Sequence, residues 1–332
     1  MANPDTLKLA RDFSSKGVLF SIARAPQSDR AFLGSSDFKV YDVDLAAAKP
    51  EPKEIGAHDS YVTSVALAGN TLVSGGYDGQ LIWWDAEQRS KIRSVNAHQK
   101  WIRRVLAAPD GKTIASVADD MVLRLWDAES GKMLREMRGH KEKTPHHFPS
   151  MLYACAFSPD GQRVATADKV GHMVVWEVAT GKELATMEAP VMYTWDPVQR
   201  RHSIGGPRSL AFSPDGKLLA IGGMGKVGNI DHLEGKARVE VFDWQKSERT
   251  HEFPGDKFAG LVNQLAFHPQ GDWLLGAGGA GDGFLLFFDL KEKKMLRQEK
   301  ASVHIHSFDL NPAADAIVAV GHGKVLQYEL KG

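Results

Sequence analysis

The chain has 332 residues, 41 basic and 41 acidic side chains, 43% apolar residues and one cysteine. That length can bury a full core, and zero formal net charge argues against a general polyanion binder. One cysteine excludes a disulfide framework and a cysteine-rich zinc module, and no apolar run is long enough to span a bilayer.

The opening segment, MANPDTLKLARDF, lacks the apolar stretch of a secretory signal. Residues 7 to 13 read as a short strand, and 18 to 22 as a second. A Pro turn follows at Ala25-Pro26-Gln27-Ser28, and an apolar run ends in Tyr41-Asp42. The same order then recurs. Aromatic-acidic pairs stand at Trp84-Asp85, Trp126-Asp127, Trp176-Glu177, Phe242-Asp243, Phe288-Asp289 and Tyr328-Glu329. Their spacings from Tyr41 onward are 43, 42, 50, 66, 46 and 40 residues, so a unit of just over 40 residues is repeated, with two enlarged copies. Turns of the form Ser-Pro-Asp-Gly, or variants of it, split the apolar segments before each pair, as at 158–161 and 213–216. Each unit reads as strand, Pro/Gly turn, strand, tight turn, aromatic strand, turn, strand, with no sustained helical periodicity.

This pattern resembles the WD-repeat (WD40) family of β-propellers, in the style of its stand-alone bacterial members. Two units carry the four polar residues typical of that family: His58, Ser74, Asp78 and Trp84, then His98, Ser116, Asp120 and Trp126. In both, Ser precedes Asp by four residues and Asp precedes Trp by six. The resemblance implies a buried Asp–His–Ser–Trp hydrogen-bond chain that satisfies the polar groups of a sharp turn. Unit four keeps His140, Thr166 and Trp176 but has Val170 where the spacing calls for Asp; the other units have lost most of the set.

The fold expected is all-β: a seven-bladed propeller of four-stranded antiparallel blades forming one domain over residues 1–332. The last unit stops after its third strand. The N-terminal strand, about 7–13, is therefore expected to complete the last blade and close the ring, covering two sheet edges.

In the family, loops entering the inner strands and hairpins preceding the aromatic strands share one face, the top. The enlargements at 141–150, 190–206 and 224–237 all fall there, around units four and five. They carry Phe148, Tyr193, Trp195, Arg200 and Arg201, with Tyr193 and Trp195 either facing a partner or folding under their own loop. Tyr61, Trp101 and Met151 open inner strands, and Tyr77 and Asp119 precede hairpin aspartates. The resemblance places these on the top surface as partner contacts, and aromatics and Arg are common interface anchors.

Other motifs carry less. GAGGAG at 276–281 and GMGKVG at 223–228 fit G-x-G-x-x-G, but neither opens a helix that could hold a phosphate. Thirteen histidines include His146, His147, His202 and His232 in the enlargements, and His304 and His322, which the blade geometry can bring together; none has metal-ligand spacing. No nucleophile elbow occurs, and Cys155 aligns inside an inner strand. The reading is a cytoplasmic, monomeric, non-catalytic scaffold that binds a protein or peptide through its top face, with no cofactor, metal or membrane. Nucleic acid is opposed by the charge balance, although Arg103, Arg104, Arg200, Arg201 and Arg208 could form a local basic patch. The competing class is a propeller enzyme or small-molecule or metal binder using the channel and the His-rich loops.

Overall fold

The structure, a computed structural model, describes residues 2–331; Met1 and Gly332, the outer limits of the expected domain, lie outside the described residues. Helix among the described residues is confined to two three-residue 3-10 turns, Pro4–Thr6 and Pro190–Met192. The apolar runs are rich in β-branched and aromatic residues and are cut by Pro and Gly every few positions. Their backbone groups therefore find partners only by pairing with neighbouring strands. The turns at 158–161 and 213–216 close through glycine N–H bonds to the Ser158 and Ser213 carbonyls at 2.9 and 2.8 Å. Gly161 and Gly216 hold φ at +68° and +69°, a region costly for any residue with a Cβ.

The strands form six antiparallel blades, five of four strands and one of six, plus a separate two-stranded ribbon, Tyr193–Asp196 with His202–Gly205. Within each four-stranded blade the strands lie in chain order, as in Val62–Ala68, Thr71–Gly76, Gln80–Asp85 and Ser90–Asn96. The expectation of seven separate blades is corrected. Strand Lys8–Arg24 does not stop near residue 13. It pairs with Ala316–Glu329 through Lys8↔Glu329 to Val18↔His322, and with Arg30–Ser35 through Leu19↔Ser35 to Arg24↔Ala31. The strand bulges between Ser14 and Val18, where Gly17 takes φ +67°, yet runs on through both ladders, so the first and last units are hydrogen-bonded into one six-stranded sheet.

The inner strands pack side by side around a central channel. They are Lys8–Arg24, Val62–Ala68, Ile102–Ala107, Leu152–Phe157, Ser209–Phe212, Leu261–Phe267 and Ile305–Leu310, the last returning to the first. The repeated aromatic has a visible job in this arrangement. The ladder to the outer strand shifts register immediately beside Tyr41, Trp84, Trp126, Trp176, Phe242, Phe288 and Tyr328. A bulge at that point increases twist and re-aims the side chain, and all seven rings are buried. They enter the apolar layers between adjacent sheets. Trp126 meets Trp83 edge-on at 6.3 Å, for example, among Val73, Val105 and Ile114. Trp83 is fully buried, and its indole N–H donates to the Ala128 carbonyl at 3.0 Å, so its one polar group is satisfied.

Candidate functional site

The loops of one face are fixed by polar chains beneath them. His58 Nε2 lies 2.7 Å from the Ser74 hydroxyl, its Nδ1 lies 2.9 Å from Asp78, and the Trp84 N–H donates to Ser74 at 2.8 Å. His98, Ser116, Asp120 and Trp126 repeat this with His–Ser, His–Asp and Trp–Ser separations of 2.7, 3.0 and 2.9 Å. Burial works to raise the Asp120 carboxyl. Hydrogen bonds from His98 and Arg124 outweigh it and hold the group well below the usual carboxylate range. Unit four forms a third chain, which the spacing rule missed. Val170 is not the counterpart of Asp78; Asp168, two residues earlier, supplies the carboxylate. Its Oδ2 is 3.1 Å from His140 Nδ1, and Thr166 bridges His140 and Trp176 at 2.7 and 3.0 Å. The same carboxylate accepts the N–H groups of Val170 and His172, pinning the hairpin from within.

On these supported loops stands a continuous run of aromatic rings. Trp101 stacks on Tyr77 with centroids 4.3 Å apart and planes 8° from parallel. Tyr77 meets Tyr61 at 5.7 Å, and Tyr61 meets Phe38 and Phe20 at 5.6 and 5.8 Å. Trp101 is 48% exposed, Tyr61 41% and Phe38 40%. Phe20 and Phe38 were not singled out from the sequence. Phe38 holds φ at +76° in the hairpin before the first aromatic strand, equivalent to the hairpins that carry Tyr77 and Asp119. Arg103 locks the run from below. It donates twice to Asp119, at 2.7 and 2.6 Å, and once to the Tyr77 hydroxyl at 2.7 Å, and its guanidinium lies 5.3 Å from the Trp101 ring. Asp119 therefore differs from expectation: it is buried, and both its oxygens are taken by Arg103. Met151 is half-buried beside it, its sulfur accepting from the Tyr153 hydroxyl at 2.9 Å.

The three enlargements bind one another. The Tyr193 hydroxyl donates to Thr144 at 2.9 Å, the Val227 N–H donates to Thr194, and His202 and Arg200 both reach Asp231 at 3.0 and 2.9 Å. Tyr193 is 7% exposed, so it packs beneath its loop rather than facing outward. Trp195 is 42% exposed on one side and stacked on His146 at 3.6 Å on the other. Phe148 is half-buried, and Arg200 and Arg201 are exposed.

The channel opens through a cavity of about 310 Å³ lined by Phe20, Tyr77, Arg103, Leu233 and His306 among others, so the aromatic run and the third enlargement share one mouth. The opposite mouth, about 470 Å³, is ringed by the turn prolines Pro109, Pro159, Pro214 and Pro269. At the first mouth His304 and His322 do meet, together with His306, which alternation along the strand also places there. Their donor atoms lie within 4.8 Å of one another. The rings are stacked, however, with planes 17–28° apart. A metal ion sits in the plane of each imidazole that binds it, so near-parallel rings do not converge on one ion. His304 Nε2 also already faces the Asn263 amide at 2.7 Å. Burial pushes His304 and His306 down to about 4 and about 3, so both are neutral near pH 7. Burial likewise pushes the Cys155 thiol up to about 12, which removes it as a nucleophile. Among the described residues no helix is long and apolar enough to cross a membrane.

Four stretches, residues 51–85, 89–127, 131–177 and 247–289, match the family model of the WD domain, G-beta repeat. The chain is 28% identical over 325 residues to telomerase protein component 1 of Mus musculus, covering 96% of this chain and 11% of that protein. The Rattus norvegicus protein of the same name is 26% identical over 286 residues, 84% of this chain and 9% of the relative. Protein hir-1 of Neurospora crassa is 40% identical over 141 residues, 38% of this chain and 13% of that protein. The chain thus spans about a tenth of the length of these relatives.

Proposed function

The chain belongs to the WD40-repeat family, and from that premise we propose that it is a non-catalytic scaffold that binds a protein or peptide partner through the face bearing Tyr61, Tyr77 and Trp101. The carrying observation is the contiguous, partly exposed aromatic run from Phe38 to Trp101, stacked and anchored by Arg103. Rings held in place before binding lose little conformational freedom when a partner covers them, which favours association. Buried Asp119 and half-buried Met151 act here as supports of Arg103 rather than as contacts. The second region of the same face is the rim built by the enlargements, where Trp195, Arg200 and Arg201 remain accessible to the same partner.

Recovery of the partner by affinity capture from a lysate tests this reading. Tyr61→Ala and Trp101→Ala should each reduce recovery while circular dichroism stays unchanged. Truncating an interface aromatic commonly costs about 2 kcal/mol, roughly thirtyfold in affinity. Lys217→Ala, in a turn at the opposite mouth, should have no effect. Loss of recovery with Lys217→Ala and not with the aromatic variants would place the surface on the wrong side.

A further inference from the structure

The two channel cavities, about 310 and about 470 Å³, share two lining residues other than their own rims: Arg104 and Arg208. Both belong to the channel wall, one on Ile102–Ala107 and the other just before Ser209–Phe212, and they meet the channel where its two halves join. Neither cavity is lined by Asp or Glu. Arg103, the third arginine of the upper cavity, has its charge matched by Asp119. Arg104 makes no side-chain hydrogen bond or ion pair among the described residues. Arg208 donates only through Nη1, to the carbonyls of Gly205 and Pro207, and lies 4.0 Å over the Tyr153 ring. Nearby Lys169 is buried, and its Nζ reaches only the Pro149 carbonyl at 3.2 Å.

Charges in such a place are costly to hold without a counter-charge. Burial lowers Arg104 and Arg208, and lowers Lys169, with Arg208 adding repulsion to Lys169. One more polar atom lining the upper cavity is left over: His306 Nε2 is buried and has no partner, and in its Nε2–H tautomer the ring donates there. The Asn263 amide also lines the upper cavity, but its N–H groups already serve His304 and the Ile305 carbonyl. Two arginines and one unpartnered imidazole nitrogen therefore face one space that no carboxylate lines.

We propose that the waist of the channel is an oxyanion-binding site, in which Arg104 is the principal ligand and Arg208 and His306 complete the contact, for a phosphate or carboxylate group. The guanidinium of Arg104 has all its N–H donors available, and its planar fork suits two oxygens of one such group. The anion is either free or the end of a longer ligand that enters by either mouth. The site lies below the aromatic run, sharing its cavity with Phe20 and Tyr77, and does not rest on the partner reading above.

The test uses purified full-length protein, with phosphate, pyrophosphate and citrate as probes against chloride at equal ionic strength. Calorimetry and thermal melting give the readouts. Wild type should bind at least one of the three saturably and melt higher in its presence. Arg104→Met should lose at least tenfold in affinity, and its own melting point should stay level or rise, because an uncompensated charge has gone. Arg208→Met should weaken binding less, since part of that guanidinium serves carbonyls. Trp101→Ala should leave anion binding unchanged, which separates this site from the docking face. Pyrophosphate binding without citrate binding assigns the phosphate class, and the converse assigns carboxylates. A phosphoserine or glutamate peptide that binds more tightly than the free anion assigns the source to a polypeptide. No saturable binding by wild type, or equal binding by folded Arg104→Met and Arg208→Met, overturns the proposal.

Discussion

Two sectors of the ring hold their loops by different means. Between His58 and Trp176, three units use a buried carboxylate, imidazole, hydroxyl and indole in sequence. Between Ser209 and Leu330 that chain is absent. Phe242 and Phe288, which have no N–H to donate, stand where the indoles stood, and Phe288 packs on Phe253 at 4.8 Å. Fully buried Glu240 is instead held between Arg238 and Arg249 at 2.7 and 2.9 Å. The surfaces differ accordingly. The first sector leaves aromatic rings bare on rigid loops, while the enlargements between and beyond its last unit bury much of their own apolar content, Tyr193 included. Enlarged loops and presented surface are thus different things. Three of the four exposed rings, Phe38, Tyr61 and Trp101, belong to units of ordinary length; the fourth, Trp195, stands in an enlargement.

The comparison can be broken first at its cores. Phe288→Ala should cost about 3–5 kcal/mol in denaturant unfolding, because the second sector has only packing at that position. A loss below about 1 kcal/mol would mean that this sector is held by something other than its phenylalanines. Asp120→Ala should cost about 2–3 kcal/mol, since it strands His98 and Arg124 together. Asp168→Ala should cost about 1–3 kcal/mol, the price of an unsatisfied buried set. If Asp168→Ala is neutral and Val170→Ala is not, the third chain has been assigned to the wrong residue.

Much of this was legible in the chain itself. The aromatic-acidic pairs set the repeat, and Ser158–Gly161 and Ser213–Gly216 marked turns, because Pro and Gly constrain backbone directly. Two polar chains followed from fixed spacing. The third did not, because a carboxylate at the strand end can reach the same imidazole from position 168 as from 170, and spacing rules count residues rather than reach. The joined six-stranded sheet was missed because the stretch from Phe13 to Val18 looked like a break; it is a bulge with Gly17 at φ +67°, and the strand continues through it. Burial of Asp119 and Tyr193 depended on partners distant in sequence, Arg103 and Thr144. Phe38 was missed because its own unit lacks the polar set that guided the alignment.

A smaller effect, common to both sectors, depends on pH. Burial holds His98 in the first sector, and His304 and His306 in the second, below the ordinary imidazole value. The unfolded chain takes up protons near pH 6.5 that these groups refuse when folded. Stability is therefore full above about pH 6.5 and declines as pH falls towards their folded values, about 4 for His304 and about 3 for His306. Asp78 and Asp120, held low, add their own loss only below about pH 4. Melting temperature should drop between pH 7 and 5, and His306→Phe, which keeps a ring in the stack, should make that drop shallower. An unchanged slope in His306→Phe would show that this histidine titrates normally.

The central claim is that the bare rings of the first sector, more than the self-packed rim, form the docking face. The direct measurement is the Kd of the purified partner for wild type, Trp101→Ala and Trp195→Ala, each verified as folded. The account predicts a loss of about thirtyfold for Trp101→Ala, near 2 kcal/mol, and only a few-fold loss for Trp195→Ala. The reverse order, with Trp195→Ala abolishing binding and Trp101→Ala leaving it intact, would contradict it.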